Sequence, residues 1–126
     1  SWPDRLDDVD VPCDWTTAAS WDFMPLDDDA FPAVSLAREA GRAGGTCPTV
    51  YNAANEVCVA AFHAGTITFP QIVRTVTQVL QTHTSGAAGN SAGASMVESV
   101  ESIDQVLAAD AWARAAAESA MMDARV

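Results

Sequence analysis

A chain of 126 residues, 49% of them apolar, can enclose one modest core with room for an appendage. Its formal net charge is −11, with six arginines and no lysine, which excludes a nucleic-acid partner because no basic face can neutralise phosphates. No apolar run approaches the roughly 20 residues that cross a bilayer and no basic-then-apolar leader is visible, so a cytoplasmic protein without membrane contact is expected.

The acidity is concentrated at the front. Residues 1–28 hold eight acids against Arg5, net −7, while residues 29–126 hold nine acids against five arginines, net −4. The leading segment, "SWPDRLDDVDVPCDWTTAASWDFMPLDD", mixes prolines, aspartates and three tryptophans without helical period and reads as an extended arm. Trp21 and Phe23 flank Asp22 in an alternation suited to at most one short strand, which would need a sheet elsewhere to pair with. Trp2, Trp15 and Trp21 would each expose a large apolar surface unless something covers them.

From Asp29 the pattern becomes helical. "DDDAFPAVSLAREAGRAGG" opens on aspartates suited to capping, has Pro32 where a first-turn proline is tolerated and closes on Gly44 and Gly45, which predicts a helix over 31–43. The next helix has Pro48 near its start and Gly65 at its end. Val50, Tyr51, Ala54, Val57, Cys58, Ala61 and Phe62 form its apolar face. A third begins with Thr68 and Gln71 at capping-box spacing and repeats Phe69, Ile72, Val73, Val76, Val79 and Leu80 at helical period. "TSGAAGNSAGASM" is too small and glycine-rich to bury much surface, so residues 84–97 are expected to form a mobile loop. Ser102 and Gln105 make a second capping box, and Asp110 offers a fresh cap for a last alanine-rich helix carrying Trp112 and Ala115. Together these elements predict an all-α, four-helix-bundle-like domain over 29–126 behind an arm over 1–28.

Few side chains invite chemistry. Cys13, Cys47 and Cys58 are an odd set without C-x-x-C spacing, so they read as free thiols. Asp27, Asp28 and Asp29 lack the alternation, glycine and distal glutamate of a calcium loop, and the same holds for Asp7, Asp8 and Asp10. Glu56 and His63 are seven apart, not the three of the pairs that line di-metal bundles. Cys47 precedes a helix whose dipole could activate a thiol, with His63 or His83 as base, but His63 would lie roughly 24 Å along that helix at about 1.5 Å per residue. "GRAGG" ends a helix where a phosphate-cradling loop must begin one.

Asn52, Asn55 and Glu56 remain, at three-and-four spacing on the face opposite the apolar arc, together with Val59 and His63. Asparagine is a weak helix former, and two within four residues suggest bonds to neighbouring backbone, with Asn55 at least partly buried. Amides do not titrate, so no catalytic role is assigned to them.

The combination "WDFMPLDDDAFPAVSLAREAGRAGG…VYNAANEVCVAAFHAGTITFPQIV" closely resembles the C-terminal part of the 1-deoxy-D-xylulose 5-phosphate reductoisomerase family. "SWPDR" resembles the exit from that family's central catalytic domain, and "IDQVLAADAWAR" the start of its last helices; about 82–101 has no counterpart. The resemblance implies an oxidoreductase and isomerase of non-mevalonate isoprenoid biosynthesis, using NADPH and magnesium or manganese, and a homodimer. It also implies that the nucleotide, metal and phosphate sites belong to other domains of the same polypeptide, its catalytic domain above all. No catalytic, cofactor-binding or metal residue is therefore carried onto positions 1–126, and the chain alone is expected to be inactive. The rival readings are a free-standing helical interaction module and, more weakly, a small metal-binding bundle.

Overall fold

The computed structural model of the chain describes residues 11–85 and 100–123, so the expected loop lies mostly outside the described residues. Four α-helices follow one another: α1 over Ala33–Ala43, α2 over Cys47–His63, α3 over Phe69–Thr84 and α4 over Ile103–Asp123. The fold is all-α and bundle-like. No strand forms among the described residues, and Trp21 and Phe23 are exposed on an irregular segment.

Local chemistry sets the boundaries. Asp27 does not cap α1; its carboxylate accepts the N–H groups of Asp29 at 3.1 Å and Ala30 at 3.0 Å and orders a turn ahead of the helix. Pro32 then occupies the N-cap position, so α1 starts two residues later than its sequence pattern predicts. Gly44 and Gly45 adopt φ of 69° and 54°, conformations open to glycine at little cost, and reverse the chain directly into α2. They therefore end one helix and lead into another, but Pro48 in the first turn removes one of the N–H donors an anion would need. Gly65, at φ 70°, stops α2. Gln71 folds back at the start of α3 to accept the N–H of Thr68 at 2.6 Å and its hydroxyl at 2.8 Å. Gln105 does the same for the N–H groups of Glu101 at 2.8 Å and Ser102 at 3.3 Å.

The last helix corrects the sequence pattern. No new helix starts at Asp110, and α4 runs unbroken for 21 residues. Alanine before and after Asp110 is the strongest helix former, and neither glycine nor proline interrupts the segment.

α2 is the central element and packs against the other three helices, whereas α1 touches α2 and α3 but not α4. The core joins Val50, Ala53, Ala54 and Cys58 of α2 to Val76, Val79 and Leu80 of α3. From α4 it receives alanines, of which Ala113 and Ala117 are 0% exposed. With only a methyl group at these positions, the backbone of α4 can lie close to α2. Some of the predicted apolar stripe stays outside the core. Phe62 and Phe69 pair edge-to-face on the surface, 5.8 Å between ring centroids, and Ile103 is 77% exposed.

A side chain larger than methyl at the α2–α4 contact must push the helices apart. Ala113→Leu or Ala117→Leu should cost about 1–3 kcal/mol, while the same change at exposed Ala111 should stay within about 0.5 kcal/mol. Urea melts of the three variants test this, and equal midpoints would contradict the close approach.

Candidate functional site

The polar face of α2 is tied to α4. The side-chain amide of Asn52 donates to Oε1 of Glu56 at 2.9 Å, and Oε2 of Glu56 accepts from Nη2 of Arg114 at 2.6 Å. Arg114 turns its other edge to Asp110, with Nε to Oδ2 at 2.8 Å and Nη2 to Oδ1 at 3.2 Å. This fork geometry suits a guanidinium facing a carboxylate. Hydrogen bonds from Arg114 hold the carboxyls of both Glu56 and Asp110 below their ordinary values, with Asn52 adding to the effect on Glu56. The two carboxylates in turn raise the guanidinium's pKa. All three charged side chains remain in contact with solvent, so the network contributes register more than energy.

Sequence reasoning placed Asn52 and Glu56 correctly on one face but missed Arg114. The available signal was the four-residue spacing of Asp110 and Arg114, which suits an ion pair along one helix. Asn55 behaves differently from its expectation. It is half-buried, yet among the described residues its amide forms no hydrogen bond, to backbone outside α2 or to anything else.

The remaining candidates do not assemble into a reactive centre. Cys47 opens α2 but is fully buried, and burial pushes its thiol pKa up, away from the thiolate a nucleophile needs. Burial also pushes up the Cys58 thiol, with a hydrogen bond from Thr75 opposing. His63 is exposed at the last turn of α2, its ring 5.7 Å from that of Phe62, while Glu56 points to Arg114. His83 is buried at the end of α3, where Nε2 lies 2.9 Å from the hydroxyl of Thr46 and the ring lies 5.2 Å from Trp112. No sequence pattern announced that joint. Among the described residues no three His, Cys, Asp or Glu side chains gather as a metal set. An open groove between α3 and α4 is lined by the polar side chains of Gln78, Thr82, Ser119 and Asp123 beside the ring of Trp112.

The described residues define an all-α bundle held by alanine contacts and a surface polar network, with Cys47 and Cys58 buried and Cys13 exposed. The family model described as the DXP reductoisomerase C-terminal domain matches residues 1–116, and the chain belongs to that family. It is 55% identical over 115 residues to the 1-deoxy-D-xylulose 5-phosphate reductoisomerase of Cutibacterium acnes, covering 90% of this chain and 28% of the relative. The corresponding protein of Kitasatospora griseola is 50% identical over 116 residues, covering 92% of this chain and 28% of that one. Among solved structures, the reductoisomerase of Zymomonas mobilis in complex with NADPH superposes with a TM-score of 0.69 at 33% identity. That match covers 95% of this chain and 29% of the other. The chain thus spans little more than a quarter of the length of the relatives it matches.

Two outcomes follow for the polar face. Asn55→Ala should leave the melting midpoint of this chain within about 0.5 kcal/mol of the parent, because no partner is orphaned and alanine is the better helix former. A large loss would reveal a bond to the amide. Arg114→Met should cause a small loss of stability that disappears in high salt, measured by thermal melts at two ionic strengths. Glu56 and Asp110 both have folded-state values below their ordinary 4.5 and 3.8, so their contribution is complete above about pH 4.5 and is lost as pH falls through the folded values.

Proposed function

We propose that this chain is the C-terminal, non-catalytic part of a reductoisomerase that rearranges 1-deoxy-D-xylulose 5-phosphate and reduces it to 2-C-methyl-D-erythritol 4-phosphate. The observation that carries this reading is the match of residues 1–116 to the family's C-terminal domain, joined to the small share of each relative that the chain spans. The cofactor of the whole enzyme is NADPH, in keeping with the ligand of the Zymomonas mobilis structure. Its divalent cation is magnesium or manganese, and the enzyme works as a cytoplasmic homodimer.

The residues described here do not fit either cofactor. Hydride transfer needs a nicotinamide fixed against the substrate carbon, and a cation needs several converging oxygen ligands. Neither framework is present among the described residues: the carboxylates of Glu56 and Asp110 are taken up by Arg114, and no three ligating side chains converge. The chemistry belongs to a catalytic domain of the same polypeptide.

In this reading residues 1–28 are the arm from that domain and residues 29–126 the bundle it carries. Exposure supports the assignment. Trp15 is 85% and Phe23 87% exposed, and such a density of bare aromatic surface favours a covering partner. The bundle's role is to brace the catalytic domain, which affects turnover through positioning. A free-standing interaction module would use the same exposed residues, but the family match does not favour it.

An NADPH-oxidation assay with substrate and manganese, run on this chain and on the full-length protein, tests the assignment. Turnover is expected only from the full-length protein, and its deletion variant lacking 29–126 should lose stability or activity. Comparable turnover by the 126-residue chain would place the chemistry here and overturn the proposal.

A further inference from the structure

His83 joins the α1–α2 turn, α3 and α4. It is 6% exposed, its Nε2 is 2.9 Å from Oγ1 of Thr46 just before α2, and its ring rests 5.2 Å from Trp112 of α4. Thr46 makes no cap bond to its own helix, so its hydroxyl serves this contact instead. We propose that the Thr46–His83–Trp112 joint is an acid-sensitive latch: a proton on His83 releases α4 from the end of α3 while the α2–α3 pair stays folded.

The neutral ring suits its place whichever nitrogen holds the hydrogen, because the Thr46 hydroxyl can donate or accept. A cation there meets opposing influences. The C-terminal end of α3 and the face of Trp112 favour it, whereas the positive end of α2 at Thr46 disfavours it. Loss of hydration decides the balance: burial is the cause that holds His83 below the ordinary value of 6.5. The charged and titratable groups on the elements meeting here are Arg38, Glu39 and Arg42 on α1, Cys47, Tyr51, Glu56, Cys58 and His63 on α2, Arg74 on α3, and Asp104, Asp110, Arg114, Glu118 and Asp123 on α4. None of them contributes to that shift. Asp110 is already bonded to Arg114, so it is not available as a counter-ion.

α4 is the element that can let go. Its fully buried residues are alanines, with Trp112 and Met121 only partly buried against the core. α2 and α3 share the larger buried side chains of Val50, Val76, Val79 and Leu80, so parting α4 from α3 uncovers less apolar surface than parting α2 from α3. The folded chain disfavours the proton and the unfolded segment does not. Attachment is therefore complete above about pH 6.5 and weakens as pH falls below it, by about tenfold in the opening constant per pH unit until the folded-state value is passed. Glu56 and Asp110 begin to titrate only below about pH 4.5, so the window between belongs to the latch.

The test uses the 126-residue chain with Trp2, Trp15 and Trp21 changed to Phe, leaving Trp112 as the sole tryptophan, titrated from about pH 7.5 to about pH 5. Trp112 emission should shift in a one-proton step with a midpoint below 6.5. Amide exchange in α4, corrected for its intrinsic pH dependence, should accelerate by about tenfold per unit while α2 and α3 change less. His83→Gln, which keeps a hydrogen-bonding partner for Thr46, should abolish both responses, and His63→Gln should leave them intact. If His83→Gln fails to fold by circular dichroism, the His63→Gln background decides alone. An unchanged Trp112 signal, a midpoint at or above 6.5, or equal acceleration across all four helices would overturn the latch.

Discussion

The architecture depends on the close approach of α2 and α4. Ala53 and Ala54 on one helix and Ala109, Ala113 and Ala117 on the other are buried in the core with nothing larger than a methyl group each. Packing at this density forms many weak dispersion contacts between backbones, and each added methylene is felt because nothing nearby can yield. Larger buried side chains come from α3, where Val76, Val79 and Leu80 supply apolar volume, while Trp112 and Met121 of α4 pack partly buried against the same core. The bundle is asymmetric for that reason: α2 is held tightly by two different means, and α1 is left at its flank.

A contact built from alanine offers little to specify rotation or register, since methyl groups are nearly interchangeable along a helix. The polar chain from Asn52 through Glu56 to Arg114 and Asp110 supplies what the alanines cannot. Arg114 must reach Glu56 across the interface while clasping Asp110 on its own helix, and one setting of α4 satisfies both. Solvent weakens the energy of these bonds but not their geometric demand. That gives the polar stripe on α2 a structural task.

Local rules were legible in the sequence where a single residue carries them. Gly65 ends α2, Thr68 with Gln71 starts α3, and Ser102 with Gln105 starts α4, all where their spacing predicts. The failures came where one residue type serves two purposes. Aspartate before a helix can cap it or build a turn, and Asp27 does the second. Aspartate inside an alanine run can start a helix or pair four residues onward, and Asp110 pairs because its flanking alanines already favour continuation. Contacts between residues far apart in the chain left no trace. Thr46 and His83 are separated by 37 positions, and although His83 continues the Val76, Val79 and Leu80 stripe, no spacing ties it to Thr46. The family resemblance, by contrast, was readable because it rests on many residues at once.

The two polar attachments of α4 differ in kind, and the difference follows from exposure. The Glu56–Arg114–Asp110 network lies in water, where charge is cheap to keep and its groups stay ionised until well into the acid range. The His83 joint is buried, where charge is costly and the neutral form is the compatible one. An acid shift therefore reaches the buried joint first and the exposed network later. Between those limits α4 is still bridged to α2 through Arg114 while its contact with α3 is weakened. The helix is thus loosened at one interface before the other, an order set by hydration rather than by the number of bonds at each.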